Sequence, residues 1–281
     1  MPTTVVLPNG MTVFCLQKHE VPLLLLEVDG YLSNGLELRA GNTVFDVGAN
    51  IGLFSLAAYE HCECDLSIYA FEPVAAICDV LRTNIERNTA NGQVHVLPFG
   101  LSHGAETVSL TYYPRAPHLS TAYPDKEADL RMIEDLVIDN IMYLDDAPLL
   151  VRGLRWIPKV LRVPLVHFAL RWALRTELVT CQMRSLSQFV ADRDIEHIDL
   201  LKIDVEKAEL DVLLGIEDED WGKIRQVIVE LHDLEGRLKT ITALLKQKGL
   251  TEITVEQPRT LVGSNIFNVF AARPTARAGA D

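Results

Sequence analysis

The sequence has no long run of uncharged apolar residues. A membrane-spanning helix needs about 18 of them in succession, and no stretch of this chain approaches that length. Residues 1–14 also lack the basic segment and the apolar core of a secretory signal peptide. We therefore expect a soluble protein in the cytoplasm.

Basic residues are in short supply. The chain has 26 Lys and Arg against 39 Asp and Glu, which gives a formal net charge of −13. Proteins that bind nucleic acids rely largely on basic side chains that neutralise phosphates. This acidic balance excludes nucleic acid as an expected partner.

Cysteines are few and irregularly spaced. An odd number without a repeated spacing does not form a disulfide framework, and it fits a reducing compartment. Cys62 and Cys64 form a C-x-C pair without a second pair, so we predict no metal at these thiols. The full set is Cys15, Cys62, Cys64, Cys78 and Cys181.

The chain does have an alternation of apolar runs and helical periods from Thr43 onward. This alternation is typical of an α/β fold, in which a mostly parallel sheet carries crossover helices on both faces. One domain, residues 1–281, accounts for the length. The predicted strands are 43–47, 67–72, 93–98, 198–203, 225–231, 250–255 and 266–272. The predicted helices are 51–61, 74–90, 207–215, 235–248 and one from Leu186 that Ser185 and Gln188 cap reciprocally.

Two segments extend this pattern. Pro8-Asn9-Gly10 lies between two apolar runs and predicts a hairpin, because Asn-Gly readily takes the positive φ of a tight turn. We assign residues 1–40 to an N-terminal hairpin and cap. Residues 114–180 break the alternation and form a predicted helical insertion, with helices at 126–145 and 149–175.

The second part of the insertion inverts the charge of the chain. It has six cations and no acid between residues 151 and 175. One interpretation is an amphipathic cover helix, kinked near Pro158 and Pro164, whose cations extend over apolar contacts. Others are a lid over a substrate pocket, a dock for an acidic partner such as an acyl or peptidyl carrier protein, and attachment to a membrane surface. The cations are Arg152, Arg155, Lys159, Arg162, Arg171 and Arg175, interspersed with Trp156 and Trp172.

The loop after the first sheet strand is rich in glycine. Gly48 and Gly52 would let the backbone approach a ligand, and the first-turn amides would face its anionic end. The spacing differs from the G-x-G-x-x-G of dinucleotide sites, which indicates a ligand without a pyrophosphate. A methionine carboxylate and ammonium would suit these amides and the nearby Asp46. A glycine turn used only for packing is the alternative.

Glu72 ends the next strand and precedes Pro73, which can start a helix. In α/β nucleotide-binding folds an acid at this strand tip, roughly 20 residues beyond the first loop, binds the ribose hydroxyls. Glu72 is the predicted ribose ligand. Leu101 and Ser102, after the third strand, are candidates for contact with an adenine.

Charged side chains end the fourth and fifth strands. Lys202, Asp204 and Glu206 alternate at one strand end, and Glu230 and His232 end the next. Such charges face the crevice in which open sheets bind ligands. A salt-bridged strand end is one alternative, and a divalent cation held by the four acid and imidazole groups is another, which we do not favour. The remaining histidines, His103 and His118 among them, show no pattern.

Three segments of the sequence, namely the glycine loop, the end of the next strand and the end of the fourth strand, together resemble the FkbM family of S-adenosylmethionine-dependent methyltransferases. The likeness covers about residues 20–112 and 180–272. The glycine loop is shared among related methyltransferases, but its combination with the K-I-D-V-E motif at residues 202–206 occurs in a much narrower group of proteins. It implies a Rossmann-like class I fold with a seven-stranded sheet, S-adenosylmethionine as donor and S-adenosylhomocysteine as product. The segments are Asp46-Val47-Gly48-Ala49-Asn50-Ile51-Gly52, Phe71-Glu72-Pro73 and Leu201-Lys202-Ile203-Asp204-Val205-Glu206, followed by Glu209-Leu210.

The resemblance implies O-methylation of a small-molecule or carrier-tethered natural product, such as a polyketide, peptide or sugar-like metabolite. Transfer to a hydroxyl benefits from a base. We choose His232 first and Asp204 second, with Glu206 or Lys202 orienting the acceptor. The predicted cofactor contacts are Asp46, Gly48, Ala49, Asn50, Gly52, Glu72, Pro73, Leu101, Ser102 and Asp204.

The chain departs from the family in two places. Lys207 stands where members commonly have Gly, so that turn can carry a side chain towards the pocket. The insertion at 114–180 has no counterpart that we can place. Alternative functions are N-methylation, a non-catalytic module that binds S-adenosylmethionine or docks a carrier, and an NAD-dependent oxidoreductase. An oxidoreductase of that kind should have a third glycine in the loop and a Tyr-x-x-x-Lys dyad, and this sequence has neither.

Overall fold

A seven-stranded sheet forms the centre of the computed structural model, which describes residues 2–33, 37–89, 92–125, 131, 156–258 and 261–274. β12 pairs antiparallel with both of its neighbours, and the other pairs are parallel. The mostly parallel α/β sheet is therefore confirmed. Its spatial order is β11 (Glu252–Glu256), β12 (Ile266–Ala272), β10 (Gln226–His232), β9 (Leu200–Ile203), β3 (Asn42–Val47), β4 (Leu66–Phe71) and β5 (Val94–Leu97).

Two apolar clusters lie on opposite faces of this sheet. Successive residues of a strand point to opposite sides, so Val44 joins one cluster and Phe45 the other. The first cluster includes the hairpin β1 (Thr3–Val6) and β2 (Thr12–Cys15) with α1 (Val21–Ser33), α2 (Leu53–His61) and α3 (Ala75–Asn88). The second includes α5 (Leu186–Asp192), α6 (Glu209–Leu214) and α7 (Arg237–Gln247).

Local signals placed several of these elements. The hairpin is confirmed, although the positive φ of 87° falls on Gly10 and not on Asn9. The capping box of α5 is confirmed, with Ser185 and Gln188 exchanging two hydrogen bonds of 3.1 Å. The helix α1, within the N-terminal cap, was not predicted from the sequence.

A second, three-stranded sheet was also not predicted. It consists of β6 (Gly100–Leu101), β8 (Glu177–Arg184) and β7 (Glu106–Tyr112) in that order. The insertion contributes α4 (Lys159–Ala173), which begins after Pro158 and contains Pro164. Apart from residue 131, the predicted helix 126–145 lies outside the described residues, as does the first part of the predicted helix 149–175. The boundaries of the cap and the insertion stay predictions.

None of the helices in the described ranges combines the length and the apolar character needed to cross a bilayer. The cysteines are free thiols. Strand order reverses between β3 and β9, because β4 and β5 follow on one side of β3 and β10 lies on the far side of β9. In open α/β sheets this reversal opens a crevice at the carboxyl ends of the two strands.

Candidate active site

A pocket lies in this crevice. Its walls come from the loop after β3, the end of β4, α1, residues 117–122 and the turn after β9. The predicted site residues on its walls are Gly48, Ala49, Asn50, Glu72, Pro73, Leu101, Lys202, Asp204 and Glu206. The predicted residues outside its lining are Asp46, Gly52, Ser102 and His232.

The end of β4 and the residue after it accept hydrogen bonds from the amides of the glycine loop. The N–H groups of Gly48 and Ala49 donate to the carbonyl of Phe71 at 3.1 and 3.0 Å. The N–H of Asn50 donates to Glu72 Oε2 at 3.1 Å. The expectation that these amides face an anionic ligand group is wrong for these three, because each has a partner within the protein.

The two glycines of this loop are required by internal packing. Both have positive φ, +77° at Gly48 and +90° at Gly52. A Cβ at Gly48 would lie 1.7 Å from the carbonyl oxygen of Asp204, and one at Gly52 would lie 2.6 Å from Leu81 Cδ1. The turns after β3 and β9 therefore touch through backbone, and the predicted reason, close approach of a ligand, does not apply to Gly52.

Glu72 closes the adjoining wall. Its Oε1 accepts the N–H of Val74 at 2.9 Å, and its Oε2 accepts that of Asn50. Burial raises the pKa of Glu72 to about 7, against the opposing effect of these two amides. The carboxylate is thus fixed at the pocket wall with lone pairs to spare, since each oxygen accepts one protein hydrogen bond. Pro73 lies on the same wall, and α3 begins two residues later, at Ala75.

Lys202 forms a buried ion pair across the strands. Its Nζ lies 3.1 Å from Asp46 Oδ1 and 3.3 Å from Asp204 Oδ2, and it donates to the carbonyl of Gly48 at 3.0 Å. Burial alone would lower the pKa of Lys202, but the carboxylates of Asp204 and Asp46 raise it above its usual value. Asp46 also accepts a hydrogen bond from Ser55 Oγ at 2.7 Å. Asp46 therefore fixes Lys202 and the loop from behind, and the ammonium is a cation with little freedom to move.

Three carboxylates converge on the floor of the pocket. Ligand oxygens of Asp204, Glu206 and Glu230 lie within 4.8 Å of one another. Burial, followed by the nearby Asp204 and Glu206 carboxylates, raises the pKa of Glu230 to about 8. Burial likewise raises the pKa of Glu206 to about 7, against the lowering effect of His232. The pocket therefore concentrates negative charge, and a cation would be stabilised there.

Two functional candidates on α1 were missed by sequence reasoning. Tyr31 donates a hydrogen bond of 2.6 Å to Glu230 Oε2 and lies 3.4 Å from Asp204 Oδ2. Glu27, one helical turn before it, also lines the pocket. Burial, then the charges of Glu230 and Asp204, raises the pKa of Glu27 well above its usual value. No motif marks these residues, because their relevance follows from where α1 packs.

His232 lies behind Glu206. Its Nε2 is 3.4 Å from Glu206 Oε2, and its Nδ1 is 3.1 Å from Glu209 Oε1. Burial would lower the pKa of His232, but the hydrogen bond to Glu209 and the charge of Glu206 raise it to about 9. Its protonated ring faces two carboxylates, so this placement disfavours our first choice of His232 as the base.

The turn after β9 is left-handed. Glu206 and Lys207 have φ of 52° and 78°, a region that favours glycine, which explains the Gly expected after the K-I-D-V-E segment. The Nζ of Lys207 lies 3.4 Å from the carbonyl of Tyr123, and the side chain is not part of the pocket lining. The expectation that Lys207 reaches the pocket is wrong, because the left-handed turn directs it elsewhere.

Leu101 and Ser102 separate at the end of β6. Leu101 lines the pocket, whereas the hydroxyl of Ser102 donates to Glu106 Oε1 at 3.0 Å. His118, which showed no pattern in the sequence, also lines the pocket. Its Nδ1 is paired with the buried carboxylate of Glu20.

The chain is similar to known methyltransferases. The family model described as the methyltransferase FkbM domain matches residues 164–250. The 31-O-demethyl-FK506 methyltransferase FkbM of Streptomyces tacrolimicus is 38% identical over 277 residues, which cover 97% of each chain. The methyltransferase sdnD of Sordaria araneosa is 34% identical over 250 residues, or 86% of each chain.

A third relative is much longer than this chain. The AMB antimetabolite synthetase AmbE of Pseudomonas aeruginosa is 33% identical over 95% of this chain and 12% of its own length. The relatives from Streptomyces and Sordaria, in contrast, align over most of both chains. The sheet order is that of the Rossmann-like class I fold expected for such enzymes. The chain therefore belongs to the FkbM family of methyltransferases, and S-adenosylmethionine is its methyl donor.

Proposed function

We propose that this enzyme transfers a methyl group from S-adenosylmethionine to a hydroxyl of a small natural product. The observation that carries the proposal is the convergence of Glu72, the glycine loop and the carboxylates of Asp204, Glu206 and Glu230 on one pocket. The relative named for 31-O-demethyl-FK506 supports oxygen as the acceptor atom.

The pocket suits a cationic cofactor. S-adenosylmethionine carries a positive sulfonium and a positive ammonium, and burial raises the pKa of Glu206 to about 7 and, with the neighbouring carboxylates, that of Glu230 to about 8. A cation beside these groups would stabilise their ionised forms. Glu72 would hold the ribose, Leu101 the adenine and Asp204 the ammonium of the methionine end, which would lie against the pocket wall formed by residues 48–50.

The cofactor supplies a methyl group that is already activated by the positive sulfur. The protein then has to align the acceptor oxygen with that methyl and exclude water. Asp204 and Glu206 stand on the pocket wall and would orient the acceptor. Lys202, held by Asp46 and Asp204, would position these groups without titrating. His232 would act through Glu206 as a positioning residue.

We further propose that the acceptor is delivered to the enzyme while it is tethered to a carrier protein. The similarity to a segment that makes up 12% of an antimetabolite synthetase supports a biosynthetic setting of this kind. The insertion offers the surface, since Arg171, in the last turn of α4, and Arg175, two residues beyond that helix, are both exposed. Phe168, on the same helix, is 75% exposed.

Calorimetric titration with S-adenosylmethionine and S-adenosylhomocysteine tests the cofactor site. We expect Glu72→Ala to weaken both affinities by at least about tenfold, since a hydrogen bond to a charged group contributes roughly 1.5–3 kcal/mol. The matched control is Glu86→Ala, which removes an exposed carboxylate on α3. Undiminished binding by Glu72→Ala would contradict the assignment of the ribose site.

Product analysis tests the acceptor. The protein would be incubated with S-adenosylmethionine and 31-O-demethyl-FK506, followed by a panel of macrolide, peptide and sugar alcohols and their amine counterparts. We expect an O-methyl product from at least one alcohol. Methylation of amines alone would replace oxygen by nitrogen in the proposal.

A further inference from the structure

His118 and Glu20 form a buried pair at the edge of the pocket. The imidazole Nδ1 is hydrogen-bonded to Glu20 Oε1, and the two side chains are 24% and 6% exposed. His118 lines the pocket, whereas Glu20 does not. The carboxylate therefore supports the ring from the side away from the pocket.

The segment that carries His118 is held in place from several directions. Residues 117–119 form a single helical turn, and Ser120 Oγ donates to the carbonyl of Pro117 at 2.7 Å. The hydroxyl of Thr121 donates to the carbonyl of Glu206, which ties this segment to the turn after β9. Gln17 Nε2 donates to the carbonyl of Pro114 at 3.0 Å, which ties it to the residues before α1. The ring is thus fixed against the turn that bears Asp204 and Glu206.

Glu20 fixes the tautomer of the neutral ring. A carboxylate at Nδ1 accepts the proton of that nitrogen and leaves the lone pair on Nε2. Within the described part of the chain, Nε2 has no hydrogen-bond partner. A base oriented by a third group in this way is the arrangement that activates hydroxyl groups in many enzymes.

We propose that His118 is the general base of the methyl transfer and that Glu20 is its positioning residue, an inference that rests on the proposed O-methylation. The acceptor oxygen forms a bond to the methyl carbon while the carbon–sulfur bond breaks and leaves its electron pair on sulfur. The hydroxyl proton moves to His118 Nε2, and the imidazolium then loses it to solvent. Charge and atoms balance, since the positive charge of the sulfonium passes to the ring.

The pair also fixes the pH at which the base works. The charged groups that face the ring are Glu20 from the segment before α1 and Asp204 and Glu206 from the turn after β9. Burial alone would lower the pKa of His118, but the bond to Glu20 and these charges raise it above the usual value. Only the neutral ring accepts a proton, so kcat should rise with pH through a midpoint above 6.5.

The test compares two variants with a matched control. His118→Asn keeps an amide that can donate to Glu20 but has no basic nitrogen, and Glu20→Gln keeps an acceptor but removes the charge. The control is His103→Asn, since His103 forms an exposed pair with Glu106 at 3.6 Å and does not line the pocket. Rates would be measured with 31-O-demethyl-FK506 or the alcohol that the wild-type enzyme methylates.

We expect His118→Asn to lower kcat by at least about 100-fold, in the range of a lost general base, with unchanged affinity for S-adenosylhomocysteine. Glu20→Gln should shift the rising limb of the pH profile to lower pH, and His103→Asn should match the wild type. Wild-type kcat in His118→Asn, or an unmoved limb in Glu20→Gln, would overturn the dyad. A wild-type enzyme that methylates no alcohol would instead count against the proposed function.

A readout that needs no acceptor covers that case. Nuclear magnetic resonance titration of isotope-labelled histidine, with S-adenosylhomocysteine bound, follows the His118 ring directly. We expect a midpoint above 6.5 that Glu20→Gln lowers. A midpoint at or below 6.5, or one that Glu20→Gln leaves in place, would overturn the pairing whatever the acceptor.

Discussion

Each carboxylate on the pocket floor already has a cation or a donor beside it. Asp204 lies beside the ammonium of Lys202, Glu230 accepts from the hydroxyl of Tyr31, and Glu206 faces the ring of His232. Carboxylate oxygens this close together are ligands that Mg²⁺ and Mn²⁺ accept. A bound ion would have to compete with these partners for the same oxygens.

We therefore expect methyl transfer to be independent of a divalent cation. Dialysis against a chelator, followed by assay with and without added Mg²⁺ or Mn²⁺, checks this, and a protein kept in metal-free buffer without chelator is the control. If chelation abolished activity, and added Mg²⁺ or Mn²⁺ restored it in the wild-type enzyme but not in Glu230→Gln, a metal site at these carboxylates would be established.

At the scale of an element, the two helices α1 and α4 lie outside the alternating strands and helices of the central sheet. α1 brings Glu27 and Tyr31 over the ends of β9 and β10, and its run of four leucines at 23–26 lies between Pro22 and Gly30. α4 instead presents apolar side chains outward, since Leu161 is 59% exposed and Phe168 is 75% exposed. One helix completes the pocket, and the other offers a surface.

Charge reversal on α4 tests the proposed docking of a carrier protein. We expect Arg171→Glu with Arg175→Glu to weaken binding of a labelled acidic acyl carrier protein by about tenfold, and added salt to weaken it in the unaltered enzyme, because opposite charges steer such encounters. The matched control reverses Lys239 and Lys246, two exposed lysines on α7. Fluorescence anisotropy measures the affinity. Equal losses in both pairs, or none in the first, would contradict docking on α4.

At the scale of the whole molecule, the buried titratable groups of the site make the folded state less stable as the pH rises. The pKa values of Glu72 and Glu206 are raised to about 7 and that of Glu230 to about 8 in the folded state, chiefly by burial. Burial would lower the pKa of His232, but its carboxylate neighbours raise it to about 9. A group whose folded pKa is raised stabilises the fold below its unfolded pKa, and this contribution is lost as pH rises through the folded value.

We therefore expect the thermal unfolding midpoint, Tm, of the ligand-free enzyme to decrease as the pH is raised from about 6 to 9. The reason is that these four groups all act in the same direction. Differential scanning fluorimetry at constant ionic strength measures the midpoint. Glu230→Gln should flatten the curve near pH 8, whereas Glu252→Gln, at an exposed carboxylate of β11, should not. A midpoint that rises over this range would contradict the electrostatic account.

The sequence predicted the parts of the fold that depend on local pattern. Apolar runs of β3, β4, β9 and β10 alternate with helical periods, and parallel strands then place their carboxyl ends at one edge of the sheet. Because Glu72 and the K-I-D-V-E segment end such strands, their presence on one pocket follows from topology alone. The β6, β7 and β8 sheet was missed, since its partners are joined across the insertion.

The sequence by itself determined the fold class, the family and the strand ends that form the pocket. Tertiary structure alone decided which of these side chains face it. Register pairs Asp46 with Lys202 behind the loop, and the packing of His232 against Glu209 puts that ring behind Glu206. Glu20 and His118 lie 98 residues apart and meet only because both of their segments pack around one crevice. Such contacts depend on the relative placement of whole elements, which no spacing along the chain encodes.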